Sequence, residues 1–196
     1  MHQYLNVWNK IYCPIQLHMS EMIHKLNAIG PLDGRYQKTS KDLAAFFSER
    51  ALGTYRLKME SEYLIQLSKN TSIDVRKFTS KEKSLMRKFH KLSVEDAQIV
   101  KDIEVKGHGD ILATNHDVKA LEYYMKMKLE KNSLSDVVEW IHFGLTSEDT
   151  NNIAYALMLS DALEKVILPI LDILRDTFAI LVDEHKNTPM LARTHG

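Results

Sequence analysis

Apolar residues recur every three or four positions along most of the chain, which is the spacing of one face of an α-helix. After an irregular Gly/Pro loop at 26–36, this spacing predicts a helix over 40–52 that Gly53 interrupts. In the helix that follows, an apolar residue recurs every four positions, at Tyr55, Met59, Tyr63 and Leu67. No segment alternates between apolar and polar residues as a half-buried strand does. The sequence therefore predicts an all-α fold.

Polar cap residues divide the middle of the chain into shorter predicted helices. Ser80 and Ser93 are predicted to cap two of them. The segment 106–110 contains two glycines and is predicted to be a loop, and a further helix is predicted to start at Asp117. Ser135 is predicted to cap the helix after that.

The last predicted helix is the longest and runs from near Glu148 to about His185. At a rise of ~1.5 Å per residue it would span about 55 Å, which is too long for a small independent domain. We expect Pro169 to kink this helix without ending it. Its apolar stripe is formed by Ile153, Leu157, Ile167, Ile170, Leu174, Phe178 and Leu181. Such a stripe needs partners in later parts of a polypeptide or in other subunits, and a plain helical bundle is the alternative.

The composition agrees with a helical globular protein and argues against several classes of partner. Only seven Gly and four Pro occur in 196 residues, which is too few for repeated tight turns. Because 26 basic residues balance 26 acidic ones, no basic field marks a nucleic-acid binder. No apolar run reaches the roughly 20 residues of a membrane span. The single cysteine, Cys13, allows no intrachain disulfide, no cluster suggests a metal site, and a cytoplasmic location fits.

Two polar clusters in the first two thirds of the chain suit ligand binding. Arg35 lies beside Tyr36 in the Gly/Pro loop, and a guanidinium fork suits a phosphate or a carboxylate. A turn with a surface arginine is the alternative. Asn115, His116 and Asp117 stand at a predicted helix start. His116 can orient a ligand there, while Asn115 as a cap and Asp117 as a first-turn residue are the structural alternative.

Two further polar clusters lie in the last third of the chain. Thr146 and Ser147 open the long helix, where free backbone N–H groups can hold a carboxylate. Their capping role alone is the structural alternative. His195 follows Pro189 among hydrogen-bonding residues and is a candidate acid–base group. A terminal segment without a role is the alternative for this cluster.

In this order and spacing, four segments resemble the adenylosuccinate lyase family of the fumarase/aspartase superfamily. The segments are 26–36, 114–123, 141–152 and 189–196. The resemblance covers roughly residues 26–196. It implies a mostly helical homotetramer in which three subunits contribute to each active site around a central bundle of long helices. It also implies an enzyme without a cofactor that releases fumarate from adenylosuccinate to give AMP, and that cleaves the succinyl-carboxamide ribotide of purine synthesis.

The resemblance assigns the first two polar clusters to the substrate. It implies that Arg35 and Tyr36 contact the nucleotide part, including its phosphate. It implies that Asn115, His116 and Asp117 form a segment that contacts the substrate. These roles are implied by the match and do not follow from the residues taken singly.

The resemblance also assigns the later clusters. It implies that Thr146 and Ser147 hold the substrate, at a carboxylate of the succinyl arm, and that His195 is the catalytic histidine. The reaction removes a C–H proton beside a carboxylate and protonates the departing purine-side nitrogen, for which an imidazolium is suited. We expect His195 to be this acid. The family's base, a serine on a mobile loop, is expected farther downstream than residue 196.

The resemblance also sets the expected domain organisation. Residues 1–22 are predicted to be an extension without regular structure, 23–134 an N-terminal helical domain, and 135–196 the start of the central bundle. The segment 105–112 looks like an insertion, which either displaces Asn115 and His116 or forms a surface loop. Two other readings remain open: a lyase acting on argininosuccinate or malate, and a non-catalytic helical fragment that associates with the full-length enzyme.

Overall fold

A computed structural model describes residues 28–191 of the chain. The chain divides into two compact units, Met1–Lys41 and Asp42–Gly196. The predicted extension at 1–22 lies outside the described residues. The predicted domain boundary near residue 135 stays a prediction.

The described part of the first unit is a looped turn followed by a short helix. Backbone hydrogen bonds from Gly34 N to Gly30 O (3.1 Å) and from Tyr36 N to Pro31 O (2.8 Å) close the turn. Helix α1, Gln37–Ser40, follows directly. The Ser40 hydroxyl donates back to the carbonyl of Leu32 at 2.7 Å. The loop predicted from glycine and proline is therefore present over its described residues.

Helices provide the regular structure of the second unit. Its α-helices are α2 Ala44–Phe47, α3 Glu49–Leu67, α4 Ser80–Met86, α5 Val94–Val105, α6 Asp117–Leu129, α7 Ser147–Ala162 and α8 Leu168–His185. Short 3-10 helices span Lys41–Leu43, Arg87–His90 and Ser135–Trp140, and a π-helical turn spans Leu163–Ile167. Between residues 28 and 191 the only β-type pairing is an isolated bridge between His108 and Ile111. The all-α prediction is confirmed.

The break between α2 and α3 lies at Ser48, so the predicted interruption at Gly53 is wrong. Ser48 has an extended backbone, and its hydroxyl accepts from Ala51 N at 3.1 Å, which caps α3. Gly53 lies inside α3, where a Cβ would come within 3.2 Å of a Leu92 methyl carbon and 3.8 Å of a Leu121 methyl carbon. The glycine therefore serves close packing against its neighbours and does not end the helix.

The predicted caps are right at one position and displaced or absent at two others. Ser93 accepts from Asp96 N at 3.0 Å and caps α5 as predicted. The cap of α4 is Thr79, one residue before the predicted Ser80, because Thr79 forms a reciprocal capping box with Glu82. Ser135 is the first residue of a 3-10 helix and makes no cap, since no α-helix follows it there.

Helix α3 is the centre of the main core. Fully buried residues of α3, α5, α6 and neighbouring segments form one apolar cluster, which includes Leu57, Leu64, Ile65, Met86, Ile103, Met125, Leu129 and Leu134. A second cluster joins α7 to α2 and α3 through Phe46, Tyr55, Ala154, Met158 and Ala162. Because α3 contributes to both clusters, it is buried on nearly all sides. It therefore acts as the scaffold on which α6 and α7 are placed.

The long helix continues past Pro169 as predicted, through a change of hydrogen-bond register. In the π turn at Leu163–Ile167, Leu168 N donates to Leu163 O, five residues back. Proline lacks a backbone N–H and its ring crowds the preceding turn, so a local widening accommodates it. A π turn thus lies between α7 and α8, and the predicted kink stays a prediction.

Helix α8 leaves its apolar side chains exposed. None of its residues is buried. Ile170, Leu174, Phe178 and Leu181, which belong to the predicted stripe, are each 45–59% exposed. Within residues 28–191 this stripe has no covering partner, whereas Leu157 of α7 packs against the second core cluster.

Candidate functional site

The first predicted cluster lies on the turn of the first unit. Tyr36 is half exposed, and the Arg35 guanidinium carbon stands 5.9 Å from the centroid of its ring. Both side chains are therefore accessible from solvent in the described part of this unit. Their predicted role toward a nucleotide stays a prediction.

His116 and Ser147 bring the second and third predicted clusters together. The Nδ1 of His116 accepts from Lys119 N at 3.2 Å and so caps helix α6. A nitrogen that accepts cannot carry the proton, so the neutral ring is protonated on Nε2. The Nε2 lies 3.3 Å from Ser147 Oγ, to which it donates. Asn115, named as the alternative cap in the sequence, is not the cap of this helix.

Asn115 gives His116 its direction through an unusual backbone conformation. Its φ of +49° lies in the left-handed region that Asn tolerates better than most residues. Its N–H donates to Glu104 O at 2.8 Å, and the preceding Thr114 N–H donates to Ile103 O at 3.0 Å. The chain is therefore anchored to the end of α5 immediately before it turns into α6.

The insertion-like segment 105–112 forms a closed surface turn. His108 and Ile111 exchange two backbone hydrogen bonds of 2.9 and 3.1 Å. Gly107 has a φ of +88°, and a Cβ there would come within 2.5 Å of Ile111 O, so the turn requires glycine at this position. The chain re-enters α6 with His116 in contact with Ser147, which agrees with the surface-loop reading of this segment.

Asp117 is tied to helix α3 by a buried arginine. Arg56 Nη1 lies 2.7 Å from Asp117 Oδ2, and its Nε donates to Asn151 Oδ1 of α7 at 2.8 Å. Burial alone raises the pKa of Asp117, but the hydrogen bond and charge of Arg56 outweigh it and hold that pKa below its ordinary value. Asp117 is therefore a carboxylate at neutral pH, and one guanidinium joins the start of α6 to the first turns of α7.

Thr146 and Ser147 occupy the N-terminus of α7, each in a different role. The Thr146 hydroxyl donates to Asp149 Oδ2 at 2.9 Å, and the same carboxylate oxygen accepts from Thr146 N at 2.7 Å. These two hydrogen bonds lower the pKa of Asp149. Thr146 is thus a cap, as in the structural alternative, whereas Ser147 is the first helical residue and directs its hydroxyl to His116.

A second set of polar residues, on α3, was not found from the sequence. We call Arg56, Glu60 and Tyr63 the α3 polar stripe; they lie four and three residues apart and share one helix face. Besides the Arg56 contacts, the Tyr63 hydroxyl donates to Phe143 O at 3.0 Å. In the sequence, Tyr63 was identified only as one of the apolar residues that recur every four positions. The available signal was the pair of charged residues, Arg56 and Glu60, four apart on one helix face, but Lys58 and Glu62 of the same helix are charged as well, so the pair did not stand out.

Glu60 is the buried centre of the α3 polar stripe. Its side chain is 4% exposed, and its Oε1 lies 2.6 Å from His142 Nδ1. The same oxygen accepts from the Thr150 hydroxyl of α7 at 2.8 Å. His142 has a φ of +61° in the loop before α7. The stripe thus holds the start of α6, the loop before α7, and α7 itself.

An open cleft of about 870 Å³ lies beside the second predicted cluster. Asn115, His116 and Asp117 line it together with Arg56. Apolar residues of α3 and α5 form much of the remaining wall. The cations Arg50 and Lys101 also line the cleft, together with Glu49 and Glu104, each of which lies 3.0 Å from the Lys101 ammonium. The cleft is large enough for a small organic ligand and presents imidazole, amide and charged groups to it.

The last predicted site residue, His195, lies outside the described residues. Between residues 28 and 191 no group of three or more His, Cys, Asp or Glu side chains is arranged to hold a metal ion. In the same part of the chain no helix combines the length and apolar character needed to cross a bilayer.

Comparison with known proteins decides the family. A family model described as "Lyase" matches residues 34–196. The chain belongs to this lyase family. The match includes the cluster around His116, the start of α7 and the position of His195, so the paired segments of the site lie within the matched region of the lyase.

Relatives named adenylosuccinate lyase match most of this chain. The protein from Legionella pneumophila (strain Corby) is 40% identical over 180 residues, which cover 87% of this chain and 37% of the relative. The Dictyostelium discoideum protein is 41% identical and the Escherichia coli K12 protein 38% identical, and each match covers 89% of this chain and 37% of the relative. The chain therefore spans little more than a third of the length of these relatives.

Proposed function

We propose that this chain is the N-terminal part of an adenylosuccinate lyase, which eliminates fumarate from adenylosuccinate to give AMP. The equivalent cleavage of the succinyl-carboxamide ribotide of purine synthesis belongs to the same proposal. The contact between His116 and Ser147 at the N-terminus of α7 is the observation that carries it. It joins two sequence-distant clusters that the family resemblance assigns to one substrate.

The start of α7 suits a carboxylate of the succinyl arm. A helix N-terminus offers free backbone N–H groups and partial positive charge. The Ser147 hydroxyl already accepts from His116 Nε2, so its own proton is free to be donated to a carboxylate oxygen. Hydrogen bonds to this carboxylate would stabilise the charge that develops when the neighbouring C–H proton is removed.

His195 is proposed as the acid that protonates the departing purine-side nitrogen. Imidazolium is suited to this role near neutral pH. Arg35 and Tyr36 are proposed to contact the nucleotide phosphate, which a guanidinium binds through paired hydrogen bonds. The serine base and the remaining bundle helices are expected from the rest of the full-length protein, because the chain spans 37% of its relatives.

The proposal also includes the assembly and the location. We propose a cytoplasmic homotetramer without a cofactor, in which the exposed stripe of α8 lies in the central bundle. The 45–59% exposure of its large apolar side chains supports this, since such a surface is normally covered by a partner.

A substrate panel tests the proposed reaction. The full-length protein is assayed with adenylosuccinate, argininosuccinate and malate, with fumarate followed by its ultraviolet absorbance. We expect fumarate from adenylosuccinate only. Turnover of either of the other two substrates in its place would identify a different lyase, and the absence of turnover on all three would favour the non-catalytic interaction fragment.

A further inference from the structure

Glu60 is a buried acidic group that the proposed chemistry does not use. Its Oε1 takes both available contacts, from the Thr150 hydroxyl and from His142 Nδ1. Its Oε2 is buried and has no hydrogen-bond partner among the described residues. Burial of a carboxylate oxygen without a protein hydrogen-bond donor costs free energy.

His142 is held in an unusual conformation next to this carboxylate. Its φ of +61° is rare for a residue other than glycine and costs free energy. Gly144, two residues on, also has a positive φ of +69°. The Tyr63 hydroxyl fixes the intervening carbonyl of Phe143 at 3.0 Å. The loop before α7 is thus fastened to α3 at two consecutive residues, His142 and Phe143.

The contact with Glu60 determines which nitrogen of His142 carries a proton. A carboxylate only accepts hydrogen bonds, so Nδ1 must be the protonated nitrogen. In the neutral ring, Nε2 is then an unprotonated acceptor on the far side from Glu60. The His142 side chain is 17% exposed, against 4% for Glu60, so the ring is not sealed in the core. This is the reverse of His116, where Nδ1 accepts and Nε2 donates.

We propose that Glu60 is a positioning residue that fixes His142 with its proton on Nδ1 and presents Nε2 as an acceptor toward the ligand. Thr150 aligns the carboxylate, because its hydroxyl donates to the oxygen that His142 contacts. His142 then has a bare Nε2, whereas the Nε2–H of His116 is already donated to Ser147. The orientation of His142 follows from the contacts of Glu60, whereas its use toward a ligand rests on the proposed lyase function.

The first experiment reads the proton position directly. The 196-residue chain, labelled with ¹⁵N-histidine, is studied by long-range ¹H–¹⁵N correlation at a pH where the ring is neutral, and His142→Asn identifies the signals. We expect Nδ1–H and a bare Nε2 in the parent chain, and a larger share of Nε2–H in Glu60→Gln, because a neutral amide oxygen accepts more weakly than a carboxylate and the amide N–H can donate to Nδ1. A parent chain with Nε2–H, or a tautomer unchanged in Glu60→Gln, overturns the proposal.

Two variants control for general damage to the fold. Glu82→Gln makes the same change at another buried carboxylate, which contacts Arg76 and Thr79 and makes no contact with His142. We expect it to leave the His142 tautomer unchanged. Thr150→Val removes the aligning hydroxyl but keeps the carboxylate, and is expected to retain Nδ1–H. If Glu60→Gln does not fold, the parent spectrum still tests the proposal, because a His142 ring with its proton on Nε2 would overturn it.

The second experiment asks whether Glu60 acts through His142. In the full-length protein assayed with adenylosuccinate, we expect Glu60→Gln to lower kcat by about tenfold or more, as the loss of a group that orients a histidine does. In a His142→Asn background, the same change should cost less than about twofold, because residues that act as a unit are non-additive. Fully additive losses would show that Glu60 acts independently of His142. If neither the parent protein nor any variant turns over adenylosuccinate, the proposed function fails. The tautomer experiment still shows which nitrogen of His142 carries the proton and whether Glu60 determines it.

Discussion

At the scale of single residues, His116 combines two roles that different substitutions can separate. Its Nδ1 caps α6 and its Nε2 reaches Ser147. Histidine is not among the residues that commonly cap helices, and this is why the sequence pointed to Asn115 as the structural alternative. Asparagine is a strong cap residue, so it can keep the first role while it loses the second.

His116→Asn and His116→Ala are expected to differ in stability but not in activity. We expect His116→Ala to lower the free energy of unfolding by about 1 kcal/mol and His116→Asn to leave it nearly unchanged. Both should lower the kcat/KM of the full-length protein for adenylosuccinate by about a hundredfold, which is the cost of removing one positioned hydrogen-bond donor from an active site. Urea denaturation and the fumarate assay measure the two effects. An unchanged kcat/KM in His116→Asn would show that His116 does not belong to the site.

Arg56 differs from His116, because it is buried and contributes to the site by holding other residues in position. It is 7% exposed and joins Asp117 to Asn151. The periodicity of α3 did not identify it, because a helix that is buried on nearly all sides has no polar face to mark. The two partners of Arg56 lie on other helices, Asp117 on α6 and Asn151 on α7, so its contacts follow only from the three-dimensional packing.

Replacement of Arg56 by methionine is expected to remove both the ion pair with Asp117 and the hydrogen bond to Asn151. We expect the free energy of unfolding to fall by about 2 kcal/mol, less than for a fully buried pair because Asp117 is 52% exposed. Urea denaturation of the 196-residue chain measures the loss. Asp117→Asn, which keeps a hydrogen-bond acceptor for Arg56, is the matched control and should lose less. Equal stability of parent and Arg56→Met would contradict the role given to Arg56.

At the scale of helices and their connections, the Arg76 network shows how an irregular segment is fixed. Arg76 contacts Glu82 of α4 at 2.8 Å and Asp136 of the 3-10 helix at 2.6 Å. The hydrogen bonds from Arg76 lower the pKa of Glu82 to about 2, against the opposing effect of burial, and Thr79 contributes in the same direction. The segment before α4 and the 3-10 helix at Ser135–Trp140 are therefore joined by charge.

This network predicts a loss of stability in acid. Because the pKa of Glu82 is lower in the folded chain than its ordinary value of 4.5, its contribution is complete above pH 4.5 and is lost as the pH falls toward 2. We expect about 2 kcal/mol of the free energy of unfolding to disappear over this range through this group. Denaturation in urea between pH 2 and 6 measures it. In Glu82→Gln that part of the pH dependence should vanish, and an unchanged profile would contradict the assignment.

The helices themselves were largely predictable, whereas their connections were not. The four-residue spacing of Tyr55, Met59, Tyr63 and Leu67 predicted α3, and Ser93 predicted the cap of α5. Gly53 was misread because a glycine required for close packing is indistinguishable in sequence from one that ends a helix. The contact between His116 and Ser147 depends on the packing of α3, α6 and α7, and local sequence pattern carries no information on such a contact.

At the scale of the whole molecule, the exposed stripe of α8 determines what the chain can assemble into. Its large apolar side chains are uncovered among the described residues. The sequence predicted this stripe and its need for a partner from periodicity alone. The identity of the partner came from the resemblance, since an apolar face by itself does not specify what covers it.

Phe178→Lys is expected to dissociate the proposed tetramer of the full-length protein. A charge at a side chain that is 59% exposed costs little in the folded chain but is unfavourable once a partner helix buries it. Light scattering should show a smaller species. Ala179→Lys introduces the same charge on the side of α8 away from the stripe and should remain tetrameric. A tetramer that tolerates Phe178→Lys would exclude this face from the assembly.

The π turn at Leu163–Ile167 sets how far helix α8 is rotated about the common helix axis relative to helix α7. It adds a residue to a turn, so the azimuth of every side chain in α8 is offset from that expected by extending α7 regularly. Loss of one residue from this turn would restore a uniform helix and leave the α8 surface in its present phase, whereas loss of one residue within the regular part of α8 would swing everything after it by about 100°. The π turn is therefore the place where the length can change by one residue without directing a different set of side chains toward whatever lies alongside.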